Sequence, residues 1–151
     1  METEIKDRKK SIEFILAGKS TVTFLNSLTG NRFTFTVKKS DKSDLYFVSV
    51  LTSPDIYTYI GVITPNGFSH GKKSIISEKS QSVQVFNYVY NNLIKNRLPE
   101  HIQIWHEGKC GRCNRVLTVP ESILTGIGPE CSKKMNIDKR EINLKYILET
   151  A

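Results

Sequence analysis

The sequence has few cysteines and no long hydrophobic run. It contains 151 residues and only three cysteines, an odd number that does not form a closed set of disulfides. No apolar run approaches the roughly 18–20 residues that a membrane helix needs. The charged first ten residues are not followed by the apolar core of a signal peptide. We therefore expect a cytoplasmic protein without a membrane segment, whose thiols are reduced and available for metal or redox chemistry.

Motifs of several enzyme classes are also absent. Residues Gly18–Ser20 resemble the end of a phosphate-binding loop, but Glu13 stands where that loop requires glycine. There is no H-E-x-x-H helix and no G-x-S-x-G nucleophile elbow. His70 lies beside serines without a spaced acid–base set, and this is typical of a loop histidine. The sequence therefore predicts a protein that is not an enzyme.

The composition is that of a folded and basic protein. Hydrophobic residues make up 38% and charged residues 25%, which is too apolar for a disordered chain. Lys and Arg number 22 against 15 Asp and Glu, which gives a formal net charge of +7 spread along the chain. This charge favours association with polyanions but carries no sequence specificity.

The first two thirds of the chain have the pattern of a small antiparallel sheet with helices packed on one face. Residues 32–37 alternate apolar and polar side chains, as a strand with one buried face does. Apolar residues from Phe86 to Ile94 recur at helical spacing, with Ser82 as the expected N-cap and Pro99 beyond the end. Strands are predicted at 21–25, 32–37, 45–51, 57–63 and from 68 towards 76, and helices at 5–17 and 82–96. The predicted fold class is α+β.

The strongest chemical signal is a Cys-x-x-Cys pair with a third cysteine downstream. A two-residue spacer lets Cys110 and Cys113 present both sulfurs to one side, and Cys131 supplies a third. Pro129 suits the first position of a helix, which would place Cys131 in the first helical turn, where the helix dipole favours a thiolate. Structural zinc is the leading interpretation, and a redox pair or inert thiols are the alternatives.

The fourth zinc ligand is not given by a second Cys-x-x-Cys, because Lys134 stands where that cysteine would be. We predict His106 as this ligand, since Cys₃His is a regular structural set. The alternatives are His101, Glu107, Glu130 or a water molecule.

Two domains are predicted, an α+β domain at 1–104 and a zinc module of the knuckle or treble-clef type at 105–151. The second has 47 residues, fewer than the roughly 70–80 at which a core usually suffices, so a metal would stabilise it. Asp138 and Glu141 fit a capping box for a terminal helix that ends near Glu149.

The cysteine segment resembles an uncharacterised family common in bacteriophages and prophages. The resemblance rests on residues 105–131, with the runs CGRC at 110–113, LTVPESI at 117–123 and GIGPEC at 126–131. It implies a phage-encoded, intracellular zinc-binding protein of the host cytoplasm, and it implies no activity.

Basic side chains flank the cysteines and suggest a surface that binds nucleic acid. A rigid zinc module that presents Arg and Lys can lie on phosphates. Tyr46, Tyr57 and Tyr59 could stack on bases, but core positions are the favoured interpretation for these tyrosines. The basic residues are Lys109, Arg112, Arg115, Lys133 and Lys134.

These observations favour a non-enzymatic protein that acts by binding, with nucleic acid as the first expectation for its partner. The alternative is a protein-interaction module that inhibits a host factor or defence system. Capture of a small nucleotide is a further alternative, which the missing phosphate loop disfavours. The sequence does not specify an oligomeric state.

Overall fold

The computed structural model describes residues 2–117 and 120–135. Within them, seven strands and three helices follow one another along the chain, and residues 129–135 are also helical. None of the helices in this described part is long and apolar enough to cross a membrane. The predicted terminal helix, with Asp138 and Glu141, lies outside the described residues. The elements are β1 (Thr3–Glu4), α1 (Arg8–Ile15), β2 (Lys19–Asn26), β3 (Arg32–Lys39), β4 (Tyr46–Ser53), β5 (Ile56–Thr64), β6 (Gly67–His70), α2 (Gln81–Ile94), β7 (Ile102–His106) and α3 (Pro120–Thr125).

All strands belong to one antiparallel sheet in the order β1-β7-β2-β3-β4-β5-β6. Strands β2 to β6 form a continuous meander, which confirms the first four predicted strands, whereas β6 ends at His70 and does not continue towards residue 76 as predicted. Strand β7 returns after α2 and inserts between β1 and β2. The predicted boundary after residue 104 therefore falls inside a strand of the sheet.

Helix α1 is shorter than the predicted segment at 5–17. Its N-cap is Asp7, whose carboxylate accepts the Lys10 N–H at 3.1 Å, and the residues before it pair with β7 as β1. Helix α2 begins one residue before the predicted region 82–96 and ends at Ile94, and its N-cap is Ser80, not Ser82. Both helices lie on the same face of the sheet.

The core lies between this helical face and the sheet. Strand β3 contributes Phe35 and Val37, and α2 contributes Phe86, all without exposed surface. Phe86 contacts Phe35 edge-on, with ring centroids 4.9 Å apart, a favoured arrangement for aromatic pairs. The opposite face of the sheet carries threonine, lysine and aromatic side chains, and no helix of residues 2–117 and 120–135 lies over it, so we call it the uncovered face.

Candidate metal centre

The Cys-x-x-Cys loop is a tight hairpin that follows β7. Lys109 and Val116 form an antiparallel bridge at its base. Inside the bridge, the Cys110 N–H donates to the Arg115 carbonyl and the Asn114 N–H donates to the Cys110 carbonyl, each at 2.8 Å. Asn114 has a φ of 65°, a left-handed conformation that asparagine tolerates. These bonds fix Cys110 and Cys113 on one turn. We call residues 108–117 the knuckle.

Cys131 comes from a helical turn on the other side of the site. The Ser132 N–H donates to the Gly128 carbonyl at 2.8 Å, and residues 129–135 are helical. Cys131 thus lies in the first turn after Pro129, as the sequence predicted.

The structure brings the three cysteines together. The sulfur atoms of Cys110, Cys113 and Cys131 all lie within 4.8 Å of one another, and no disulfide joins them. A zinc ion with Zn–S bonds of about 2.3 Å holds sulfurs roughly 3.8 Å apart in a tetrahedron, so a small inward movement of the sulfurs would satisfy such an ion. Cys110 and Cys131 are buried, whereas Cys113 is exposed. The three residues are therefore positioned to hold a metal ion.

Hydrogen bonds stabilise the thiolate form of Cys110. Burial alone would raise the pKa of the Cys110 thiol, but backbone N–H groups of Gly128, Cys113 and Arg112 outweigh it and lower that pKa. The N–H groups of Gly128 and Arg112 lie 3.3 and 3.4 Å from the sulfur. For Cys131, burial and the neighbouring Cys113 and Cys110 raise the pKa to about 11. A cation bound between such crowded thiols would displace their protons, because the thiolate is the form that binds a metal.

The knuckle docks directly onto the helical core. Its Gly111 carbonyl accepts the Lys19 N–H of β2 at 2.7 Å, and its Gly111 N–H donates to the Gly126 carbonyl at 2.8 Å. A Cβ atom at either Gly111 or Gly126 would collide with the ring of Phe14 in α1, and Gly126 also has a φ of 77°. Cys110 and Cys131 belong to the same hydrophobic cluster as the sheet. The described residues of the predicted module at 105–151, which we call the cysteine module, therefore share one core with the sheet and with α1 and α2.

His106, which the sequence predicted as the fourth ligand, lies outside the group formed by the three cysteines in this structure. Both of its ring nitrogens bind backbone groups: Nε2–H donates to the Ile123 carbonyl, and Nδ1 accepts the Gly108 N–H at 2.9 Å. The reason is strand parity, because His106 follows Ile102 and Ile104 on the buried face of β7. Burial lowers the pKa of His106 and outweighs the hydrogen bond to Ile123, so the ring is neutral at neutral pH.

The alternative side-chain ligands also lie elsewhere. Among the described residues, no histidine, aspartate or glutamate joins the three cysteines within 4.8 Å. Glu107 accepts a hydrogen bond from the Thr23 hydroxyl at 2.6 Å on the uncovered face of the sheet. His101 lines a separate cavity between β2, β3 and α2. Of the alternatives considered, His101, Glu107 and Glu130 are not in the cluster, and water stays a prediction.

The five predicted basic residues surround the centre, with different exposures. Lys109, Arg115, Lys133 and Lys134 are exposed, while Arg112 is half-buried. The Arg112 side chain donates to the sulfur of Cys131, which lowers the pKa of that thiol. Arg112 therefore contacts the sulfur cluster itself, a role that the sequence pattern did not reveal.

The tyrosines and His70 fall into different environments. Tyr46 is a core residue, as favoured, and its hydroxyl donates to the Leu16 carbonyl at 3.0 Å. Tyr59 is half-buried, but Tyr57 is 37% exposed on the uncovered sheet face. His70 is the last residue of β6, where the sequence predicted a loop histidine, and its ring binds the Ile76 carbonyl at 2.8 Å.

Comparison with known proteins gives one partial match. Residues 106–136 match the model of a family of unknown function, DUF6011. The match contains the knuckle, α3 and Cys131, and it includes only the last residue of β7. No curated protein and no solved structure shows significant similarity to the chain. The phage association implied by the resemblance stays a prediction.

Proposed function

We propose that this chain is a non-enzymatic, nucleic-acid-binding accessory protein whose cysteine cluster holds a structural zinc ion. Cys110, Cys113 and Cys131 would be its protein ligands, with water as the remaining candidate for the fourth position. Three sulfur donors favour zinc over magnesium or calcium, which prefer oxygen. The bound ion would join the knuckle to the helical residues 129–135.

A structural role fits the surroundings of the cluster better than a catalytic one. A catalytic zinc activates water, and hydrolysis then needs a proton acceptor nearby. Among the described residues, no imidazole or carboxylate lies in the cluster. The backbone N–H groups at Cys110 and the Arg112 side chain at Cys131 stabilise sulfur charge and offer no general base.

The observation that carries the nucleic-acid proposal is a set of cations around the centre. Lys109 and Arg115 project from the knuckle, and Lys133 and Lys134 from the adjoining helical turn, all exposed. The ion pair found among the described residues, Glu2–Arg32, uses none of them. A rigid module with such cations can contact successive phosphates.

Fluorescence anisotropy with labelled oligonucleotides, measured at several salt concentrations, tests this proposal. We expect affinity to fall steeply with salt, and the triple variant Arg115→Gln, Lys133→Gln, Lys134→Gln to weaken binding and flatten the salt dependence. The matched control is Lys72→Gln, Lys73→Gln, two exposed lysines of the loop after β6, which should bind like the wild type. Absence of oligonucleotide binding by the wild type at about 50 mM salt would contradict the proposal.

A protein partner is the second candidate, because two apolar side chains of the cysteine module are largely exposed. Val116 is 71% and Leu124 65% exposed. Exposed apolar groups mark interaction surfaces when they cluster. Pull-down from host lysate with and without nuclease separates the candidates, since a complex that survives nuclease and moderate salt would favour protein over nucleic acid.

A further inference from the structure

The uncovered face of the sheet forms a groove that ends at the knuckle. The groove has a volume of about 850 Å³ and is lined by β2, β3, the β4–β5 turn region and the knuckle. Its side chains come from alternate strand positions, because the intervening positions point into the core. Those used below are Lys19, Thr21, Thr36, Lys38, Tyr57 and Lys109.

Among the residues that the structure describes, no carboxylate forms an ion pair with the three lysines at this groove. Lys19 and Lys38 are directly opposite each other on β2 and β3, so their side chains share the uncovered face. Lys109 lines the same groove from the knuckle. The Lys19 N–H holds the knuckle beside β2 by donating to the Gly111 carbonyl. Like charges directly opposite in a sheet are destabilising. An anion between the lysines would relieve this repulsion.

The acidic residues of the groove either contact other side chains or lie in the turn between β4 and β5. Glu2 forms an ion pair with Arg32 at 3.6 Å. Glu107 accepts from Thr23, and burial with the nearby Glu2 raises the pKa of its carboxyl group. Asp55 lies in the β4–β5 turn, near Tyr57. Within the described part of the chain, the acidic side chains of the groove therefore leave Lys19, Lys38 and Lys109 beside the knuckle without an ion-pair partner.

The groove also offers groups that suit exposed bases. The hydroxyl groups of Thr21 and Thr36 can donate and accept hydrogen bonds. The Tyr57 ring, 37% exposed, can stack on a base. In a duplex the base faces are hidden in the helical stack, so this combination of cations, hydroxyls and an aromatic ring fits a single strand.

We propose that this groove binds single-stranded nucleic acid, with phosphates at Lys19, Lys38 and Lys109 and a base against Tyr57. The inference rests on the proposed nucleic-acid function and deepens it, because it extends the binding surface from the cysteine module onto the sheet. It also predicts a preference for single strands over duplex.

The test is anisotropy with a labelled 12-nucleotide oligo-dT and with a 12-base-pair duplex. The variant Lys19→Gln, Lys38→Gln should bind oligo-dT at least about tenfold more weakly near 0.1 M salt. The slope of log affinity against log salt concentration should become shallower by about 1.4, because two phosphate contacts are lost at roughly 0.7 each. Tyr57→Leu should weaken oligo-dT binding by roughly fivefold or more. Lys72→Gln, Lys73→Gln is the matched control and should leave both values unchanged.

Thermal melting checks that the groove variants are folded. Because Lys19 and Lys38 repel each other, the Lys19→Gln, Lys38→Gln variant should melt no lower than the wild type. If oligo-dT binding is lost while the melting temperature is unchanged, the loss is due to the missing groove side chains and not to unfolding.

The outcomes separate this inference from the proposed function. If Arg115→Gln, Lys133→Gln, Lys134→Gln weakens binding while the groove variants bind like the wild type, the function stands and the groove is refuted. If the wild type binds no oligonucleotide, both fail. Equal or tighter binding of duplex, or an unchanged affinity in Tyr57→Leu, would overturn the single-strand groove.

Discussion

The ring of Phe14 in α1 fills the space where a side chain at Gly111 would lie. A Cβ atom there would stand 2.8 Å from Cδ1 of Phe14 and 2.9 Å from the Phe14 carbonyl oxygen. The knuckle thus contacts the core through its backbone, and the position of Cys110 depends on this contact. The metal centre and the sheet are therefore expected to unfold together.

Gly111→Ala should destabilise the protein by about 1–3 kcal/mol, the usual cost of overpacking. The matched control is Gly128→Ala in the same module, where a Cβ would meet Cys110 Sγ at an ordinary 3.8 Å. Urea denaturation of the zinc-loaded proteins measures both. Equal stability of the two variants would show that the knuckle does not pack on Phe14 as described.

Local patterns in the sequence predicted most of the sheet. Strands β2 to β5 show the alternation or the apolar runs of half-buried strands, and α2 shows a helical apolar face, so local pattern and tertiary packing agree there. Strand β7 was missed, although Ile102, Ile104 and His106 alternate with polar or half-buried positions. Its partners β1 and β2 are distant in sequence, and no local signal specifies a strand that inserts between them.

The cysteines of the candidate site could be predicted, but the role of His106 could not. Spacing identified the Cys-x-x-Cys turn, and Pro129 indicated the helical position of Cys131. The short spacing between His106 and Cys110 in the sequence suggested a ligand. In the structure, His106 belongs to β7, and its ring is directed towards α3. The contact of Phe14 with Gly111 was equally invisible, because it joins α1 to a loop nearly a hundred residues away.

His106→Gln should keep the metal-binding set intact. We expect wild-type zinc stoichiometry and, after cobalt substitution, the same visible absorption bands, because the ring nitrogens bind Ile123 and Gly108 and not the metal. Cys113→Ser is the comparison variant and should change the sulfur-to-cobalt bands. A changed cobalt spectrum in His106→Gln would restore His106 as a ligand.

Acid pH should destabilise the wild type more than His106→Gln. The folded state holds His106 with a lowered pKa, so its stabilising effect is complete above the ordinary value of about 6.5 and declines as pH falls towards the lowered value. The unfolded chain binds the extra proton in this range. The slope is at most about 1.4 kcal/mol per pH unit.

Melting temperatures of the two proteins between pH 7.5 and pH 5 check this effect. Loss of metal as thiolates are protonated affects both proteins, so the difference between them isolates His106. Parallel pH profiles would mean that His106 is not held neutral in the folded state.

The most direct measurement is the zinc-to-protein ratio of the purified wild type and of Cys131→Ser, determined by elemental analysis after dialysis. Three cysteines holding one structural ion predict about one zinc per wild-type chain and nearly none in the variant, together with a lower melting temperature. A wild type that is folded without bound metal, or a Cys131→Ser variant with full metal content and unchanged melting, would contradict the shared centre of Cys110, Cys113 and Cys131.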